Sequence, residues 1–460
     1  NGDKALATKL NPFSAITKGA SVGGAIVKNK LFFFINGEVG KSDAPLQYKP
    51  GTSQSIIPAA EMNRVRDHLI SKYGYDPGPW EDVSAKPSNY KILGRLDWNI
   101  NDKNTFMFRF HSTQGKSITN ILRDNVRAQF ENLPRGQVST TNSFSFELNS
   151  TISSRMSNTL RFSSTSVEDN RQPYNGVLFP AIDIRTTTYR IEAGGYPDID
   201  KLKNNVMTLT DKLTMNRGSH TFTTGFQLEK TYTYSKRVPQ YYGYYRYASV
   251  NDFIADKVYS VQRSYSKTGN SEDVTADFNF YVASLYAQDE IQATDNLKIS
   301  LGVRVDAPIM TDKARAIPEI DNSTLFNGYK TGIMPKTQMH WNPRIGFNYD
   351  VNGKGVTQLR GGAGYFMGRI NASIFAGMFQ ENGLLSSYTR LGTATPNMHL
   401  QPDPLAQPTF SQLTGLPETS ATYQANLMDV NRKFLQLVRS NFAIDQKLDS
   451  DFARPNFFLR

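Results

Sequence analysis

The amino-acid sequence predicts an all-β protein, an antiparallel transmembrane β-barrel, and three observations lead to this fold class. Segments of roughly ten residues alternate apolar and polar side chains with a period of two. Very short and very long connections join these segments in turn. No apolar run approaches the roughly 20 residues that a membrane-spanning helix needs, since the longest runs only from Leu31 to Ile35.

The composition agrees with a barrel wall. Of the 460 residues, 38% are hydrophobic and 12% are aromatic, with 28 Phe and 23 Tyr. A barrel needs only one apolar face on each strand, because its lumen is polar, and aromatic girdles lie at both membrane interfaces. The chain contains no cysteine, which excludes disulfide bonds and thiolate metal sites.

The formal net charge is +11, so nucleic acid, anionic lipid and an anionic ligand are all possible partners. Lys and Arg are spread along the chain without a dense basic block. We therefore expect no nucleic-acid partner. The expected surroundings are outer-membrane lipid and lipopolysaccharide.

The clearest predicted hairpin runs from Lys91 to Ser112, with a turn at residues 101–103. Its two faces differ in polarity, which is typical of strands and not of helices. The apolar face, interpreted as lipid-facing, consists of Ile92, Leu96, Trp98, Phe106, Phe108 and Phe110. The polar face, interpreted as lumen-facing, consists of Arg95, Asp97, Arg109 and His111.

The same alternation recurs along the chain and predicts about thirteen strands, followed by a truncated one at Phe457–Arg460. The short connections lie near residues 28–30, 100–103, 150–155, 216–219, 292–296 and 351–355. The long ones span roughly residues 41–88, 114–139, 168–204, 236–273, 308–343 and 370–436. Bacterial outer-membrane barrels have short periplasmic turns and longer extracellular loops, so we expect the long loops outside the cell.

Two long loops contain segments with helical spacing. Pro58, which favours a first helical turn, precedes the stripe Met62, Val65, Leu69 and Tyr73. We interpret this stripe as packing within the loop, although a partner site gives the same pattern. The spacing recurs more weakly at Tyr423, Leu427, Val430 and Phe434.

One long loop carries the densest aromatic cluster of the chain. The cluster is the candidate ligand-binding site and consists of Tyr241, Tyr242, Tyr244, Tyr245, Arg246 and Tyr247. Tyr and Arg side chains are favoured at recognition surfaces. Packing within the loop, or an interfacial aromatic girdle, explains the same cluster and is the stronger alternative.

No other pattern indicates metal binding or catalysis. Asp198 and Asp200 are too few carboxylates for a calcium site, so a turn is the better interpretation. The five His residues show no ligand spacing. Gly361–Gly364 lacks the context of a phosphate loop and is interpreted as a strand with close backbone approach. We expect no enzyme and no cofactor.

Several stretches, in consistent order, resemble Oar-like TonB-dependent outer-membrane receptors. They lie at residues 22–34, 73–78, 286–306, 342–366 and 441–448, and include Tyr-Ala-Gln-Asp-Glu at 286–290 and Asn-Pro-Arg-Ile-Gly-Phe at 342–347. One departure is Ala25, where the family usually has Pro. The resemblance implies a plugged barrel of about 22 strands. It also implies uptake of a bulky ligand, such as a peptide or glycan, powered through the TonB complex.

Both ends of the chain look cut, so we expect a fragment. Residues 1–21 are predicted to end a plug or an early barrel connection, and residues 22–460 to form a barrel region that is incomplete at both ends. No plug domain or TonB box is visible, so contact with the TonB complex would go through a missing N-terminal region. Two alternatives stay open. One is a passive porin-like channel, and the other is a surface adhesin or protein-export barrel.

Overall fold

The computed structural model describes residues 12–119, 121–394, 398–420 and 423–447. The first ten strands are β1 (Ser14–Val27), β2 (Leu31–Pro45), β3 (Ser84–Ala85), β4 (Ser88–Asn101), β5 (Asn104–Thr119), β6 (Arg127–Gln129), β7 (Arg135–Ser153), β8 (Met156–Pro173), β9 (Ala181–Arg185) and β10 (Arg190–Gly194). The others are β11 (Ile199–Arg217), β12 (His220–Val238), β13 (Tyr244–Tyr247), β14 (Ser260–Ser266), β15 (Thr275–Thr294), β16 (Leu297–Met310), β17 (His340–Asp350), β18 (Thr357–Met367), β19 (Leu385–Leu391) and β20 (Gln436–Gln446).

The helices are short and lie in the long connections. They are α1 (Ala59–Tyr73), α2 (Val250–Ile254), α3 (Pro318–Asp321), α4 (Ser373–Gln380) and α5 (Phe410–Thr414). Single 3₁₀ turns occupy Ser271–Val274, Thr324–Phe326, Gly392–Ala394 and Glu418–Ser420.

Thirteen long strands form one antiparallel sheet, which we call the wall, and each pairs with the next in chain order. The wall strands are β1, β2, β4, β5, β7, β8, β11, β12, β15, β16, β17, β18 and β20. The sequence-based count of about thirteen is confirmed, and the short connections lie where predicted. The truncated strand at residues 457–460 lies outside the described residues.

Within the described part of the chain, the wall is an open sheet, because β1 and β20 are its two ends and do not pair with each other. The predicted total of about 22 strands stays a prediction. Gly361–Gly364 lies in β18, as interpreted from the sequence. A Cβ atom at Gly364 would lie 3.0 Å from Arg344 Cγ, so the missing side chain does permit close approach.

The two faces of the wall differ as the alternation predicts. Phe146 packs on the apolar face among its cross-strand neighbours Phe108 and Phe162, with ring centroids 5.1 and 6.5 Å away. On the polar face, Arg95 forms an ion pair with Asp97, with 2.7 Å between nitrogen and oxygen. The apolar face can contact lipid because it carries no polar groups that would lose water. The polar face requires water or polar partners.

The long connections fold into a second sheet, which the sequence did not predict. Its strand order is β19-β14-β13-β9-β10-β6, with parallel pairs β13·β9 and β10·β6. These strands come from four different long connections, and a fifth contributes α1. We call the six strands with α1 and α2 the cap. Its core is apolar and includes Met62, Leu69, Phe130, Ile184, Ile191, Tyr245, Tyr247 and Phe253.

The helical predictions had mixed outcomes. α1 follows Pro58 and buries Met62, Val65 and Leu69 in the cap core, so packing within the loops is the correct interpretation of that stripe. The weaker stripe at residues 423–434 is wrong as a helix. Its backbone instead makes isolated β-bridges, Ala425 with Asn382 and Met428 with Lys330.

A charge on the apolar face should destabilise the wall, whereas the same charge on the polar face should be tolerated. We expect F146R to lose about 2–4 kcal/mol of folding free energy in a bilayer. The matched variant S143R places its charge on the polar face of the same strand, opposite His111 and Thr165. Urea titration in lipid vesicles measures both variants, and equal losses would contradict the assignment of the faces.

Candidate ligand-binding site in the cap

The tyrosine-rich segment runs into the middle of the cap sheet as β13, which pairs in parallel with β9 and antiparallel with β14. Successive side chains of a strand point to opposite faces. Tyr245 and Tyr247 therefore lie on the core face, and Tyr244 and Arg246 lie on the other face. The segment that looked like one cluster in the sequence is divided by the sheet.

Tyr245 and Tyr247 are both 0% exposed. The Tyr247 ring packs edge-on against Phe253, with centroids 5.1 Å apart. The Tyr245 hydroxyl donates to Gln407 Oε1 at 2.8 Å, and burial raises its pKa to about 12. Both rings fill the cap core and present no exposed surface in this structure, and ligand contact at these two positions stays a prediction.

Tyr244 belongs to a buried polar ladder across the sheet. Its hydroxyl donates to Asp183 Oδ2 at 2.9 Å and accepts from Arg190 Nη2 at 2.9 Å. Asp183 is fully buried and also accepts from Arg190 Nε at 2.5 Å. Glu192 continues the ladder by accepting from Arg127 Nε at 2.7 Å. Charged hydrogen bonds of this kind hold short strands together where apolar contact is small.

The remaining candidates, Tyr241, Tyr242 and Arg246, are partly exposed. The rings of Tyr241 and Tyr242 meet edge-on, with centroids 5.2 Å apart. The Arg246 guanidinium lies over the Tyr259 ring at 4.9 Å from its centroid. At these three positions the prediction of ligand contact stays a prediction.

A cavity of about 1040 Å³ lies between the polar face of the wall and the segment that contains α4. Charged side chains on its lining include Glu229, Arg304, Asp306, Arg344 and Arg369. Nearby, the α4 ring of Phe379 stacks on Phe278 of β15, with centroids 4.7 Å apart. The segment that contains α4 therefore packs against the polar face of the wall and bounds the cavity on one side.

The sequence carries a signal for this contact that we did not recognise. In the first half of β15, the buried apolar side chains are Ala276, Phe278, Phe280 and Val282, on the polar face of the wall. After Val282 the apolar side chains change to odd positions, beginning with Ala283 and Leu285. Such a change of phase within one strand indicates that another element covers the polar face.

One carboxylate joins residues from two of the stretches that resemble Oar-like receptors. Asp306 accepts from Arg304 Nε at 2.7 Å, from Ser284 Oγ at 2.6 Å and from Asn342 Nδ2 at 2.7 Å. Arg304 and Asp306 belong to one resembling stretch and Asn342 to the next. These residues therefore satisfy one another on adjacent strands.

Asp198 and Asp200 have protein partners. Asp200 forms an ion pair with Arg171 at 2.8 Å, and Asp198 Oδ1 accepts from the Gln240 backbone N–H at 2.7 Å. No group of three or more potential ligands is placed to hold a metal ion among the described residues. No described helix is long and apolar enough to span a membrane.

A family model described as an outer membrane beta barrel domain matches residues 54–454. The chain belongs to this family. The match covers the wall strands from β4 to β20 together with the whole cap. This member of the outer membrane beta barrel domain family is therefore located in the bacterial outer membrane.

Two solved structures that are similar to this chain are outer-membrane proteins. The structure of the outer membrane transporter YddB from Escherichia coli matches 82% of this chain and 41% of its own length, with 12% identity and a TM-score of 0.54. The siderophore receptor PirA from Pseudomonas aeruginosa matches 95% of this chain and 50% of its own length, with 12% identity and a TM-score of 0.47. The chain thus spans half or less of either protein. No protein of curated function matches it.

Removing a core tyrosine should destabilise the cap of this barrel protein while the wall stays folded. We expect Y247A to destabilise the cap by about 3–5 kcal/mol, because it leaves a cavity beside Phe253. Limited proteolysis of the purified protein should then cut within residues 174–198 and 239–268. The partly exposed Tyr242 offers a control, since Y242A should cost only about 1 kcal/mol. Unchanged protease resistance of Y247A would show that the cap does not depend on this core.

The raised pKa of Tyr245 should make the cap sensitive to alkali. The unfolded side chain ionises near pH 10, whereas burial keeps the folded one neutral to about pH 12. This contribution to stability is complete below about pH 10 and is lost as the pH rises towards 12. We expect Y245F to lose less stability over this interval in denaturant titrations. An equal loss in both proteins would assign the alkaline sensitivity to other groups.

Proposed function

We propose that the chain is the barrel portion of an Oar-like TonB-dependent receptor, which captures a bulky ligand on its extracellular loops for energised passage. The cap would meet the ligand first, and the lumen beside the polar face of the wall would carry it inward. Peptides and glycans are the ligand classes that we favour. Energy would come from the inner membrane through TonB and a part of the protein outside these residues.

The observation that carries this proposal is the shared core of the cap. Five long connections contribute residues to it, so the loops pack around one common core. A pre-organised surface binds a large ligand with a smaller loss of conformational entropy than free loops would. A passive channel gains nothing from such an arrangement, whereas a receptor does.

A second support is the position of the resembling stretches. Residues 22–34 form the β1–β2 hairpin, residues 286–306 span β15 and β16, and residues 342–366 span β17 and β18. These three stretches thus occupy paired wall strands. Two alternatives remain: a passive porin-like channel, and a surface adhesin or protein-export barrel.

Energised uptake should separate these functions. Cells that produce the protein would receive fluorescently labelled pools of peptides or of glycans, and surface binding and periplasmic accumulation would be measured separately. We expect deletion of TonB to reduce accumulation to background while surface binding stays unchanged. Accumulation that persists without TonB would favour the passive channel. Surface binding with no TonB-dependent accumulation would favour the adhesin.

A further inference from the structure

Arg263 of β14 is buried in the cap with only 7% of its surface exposed. Its guanidinium carbon lies 5.0 Å from the centre of the Tyr265 ring and 5.8 Å from that of Tyr241. Nη1 donates to the backbone oxygen of Gln407. Nε has no hydrogen-bond partner among the described residues. The side chain is therefore held in place, but one of its hydrogen-bond donors, Nε, has no partner among the described residues.

Arg263 also lacks a carboxylate partner in the described part of the chain. Its ionisable neighbours are tyrosines, which are neutral at ordinary pH, and burial lowers the pKa of Arg263. Arg190 of the same sheet shows the usual solution, because it lies between Asp183 and Glu192 at 2.5 Å from each. A buried cation without a counter-ion is unfavourable. Such a group is a candidate for binding an anion.

The Arg263 side chain lines a cavity of about 630 Å³. The lining also includes the amide side chains of Gln240, Gln380 and Gln424 and the ring of Tyr423. Gln240 and Gln424 make no side-chain hydrogen bond with the described residues, so their amides can donate to and accept from a ligand. The acidic side chain on this lining, Glu381, accepts from Asn426 Nδ2 at 2.5 Å.

Further positive charge surrounds the cavity. Arg237 lies on the lining, and the Lys267 ammonium lies 4.4 Å from the centre of the Tyr423 ring. The balance of charge therefore favours an anionic group. A planar guanidinium suits a carboxylate, because two parallel N–H groups can donate to its two oxygens. The amides suit the hydroxyl groups of a sugar ring.

We propose that this cavity binds a saccharide that carries a carboxylate. The carboxylate accepts hydrogen bonds from Arg263, the sugar hydroxyls exchange hydrogen bonds with Gln240 and Gln424, and the ring packs beside Tyr423. The inference rests on the proposed function only in placing the cap outside the cell. Binding can be measured without transport, so the two proposals can fail separately.

The test compares D-glucuronate with D-glucose, which has the same ring without the carboxylate. Isothermal titration of the detergent-purified protein should give about ten-fold or tighter binding of glucuronate, because a charged hydrogen bond is strengthened in a buried site. R263Q should remove this preference, while R263K should keep part of it. R390Q is the matched control. Arg390 lies on the neighbouring strand β19 over the Phe410 ring, 5.2 Å from its centroid, and does not line the cavity.

Several outcomes would overturn the proposal. Equal affinity of the wild-type protein for glucuronate and glucose would do so without any variant. Retained preference in R263Q, with a cap that still resists protease, would exclude Arg263 as the anion partner. Acetate bound as tightly as glucuronate would exclude recognition of the sugar. Loss of the preference in R390Q would show that the sheet, and not the cavity, was disturbed.

Discussion

The structure depends on the need to pair every backbone N–H and C=O group that lies within lipid. The wall meets this need by pairing each strand with the next in the chain, from β1 to β20. Pairing of this kind needs only short turns at one end. At the other end, long connections join the strands. The backbone N–H and C=O groups of these connections need hydrogen-bond partners outside the wall. The cap sheet supplies such partners.

The cap solves a problem that single loops cannot solve. Strands of three to seven residues, such as β6 and β14, do not bury enough apolar surface to be stable alone. By pairing across different connections, they build one apolar core on one face and one ionic ladder on the other. Asp183 and Glu192 are nearly inaccessible to solvent, yet each has arginine partners. Burial of these charges is tolerated because they are paired.

The wall could be predicted from the sequence because its order is local. Period-two alternation and turn residues mark each strand, and each strand's partner is its neighbour in the chain. The cap could not be predicted, because β13 pairs with β9 at Tyr244 and Ala181, and β10 pairs with β6 at Arg190 and Arg127. Pairs between strands so far apart in the chain produce no periodic pattern in the sequence. α4 was missed for another reason, since Ser-Ile-Phe-Ala-Gly-Met-Phe-Gln has no polar face to define an amphipathic stripe.

The tyrosine-rich segment also contains a glycine, Gly243, whose position matters for the cap. Gly243 has a φ of +87°, and a Cβ atom there would lie 2.3 Å from Gln407 Oε1. Only glycine therefore lets Gln407 approach closely enough to accept from the Tyr245 hydroxyl. The backbone oxygen of Gln407 in turn holds Arg263. The core tyrosine, the glycine and the buried cation thus form one connected unit. Tyr245 holds Gln407, and Gln407 holds the arginine that we propose binds the carboxylate.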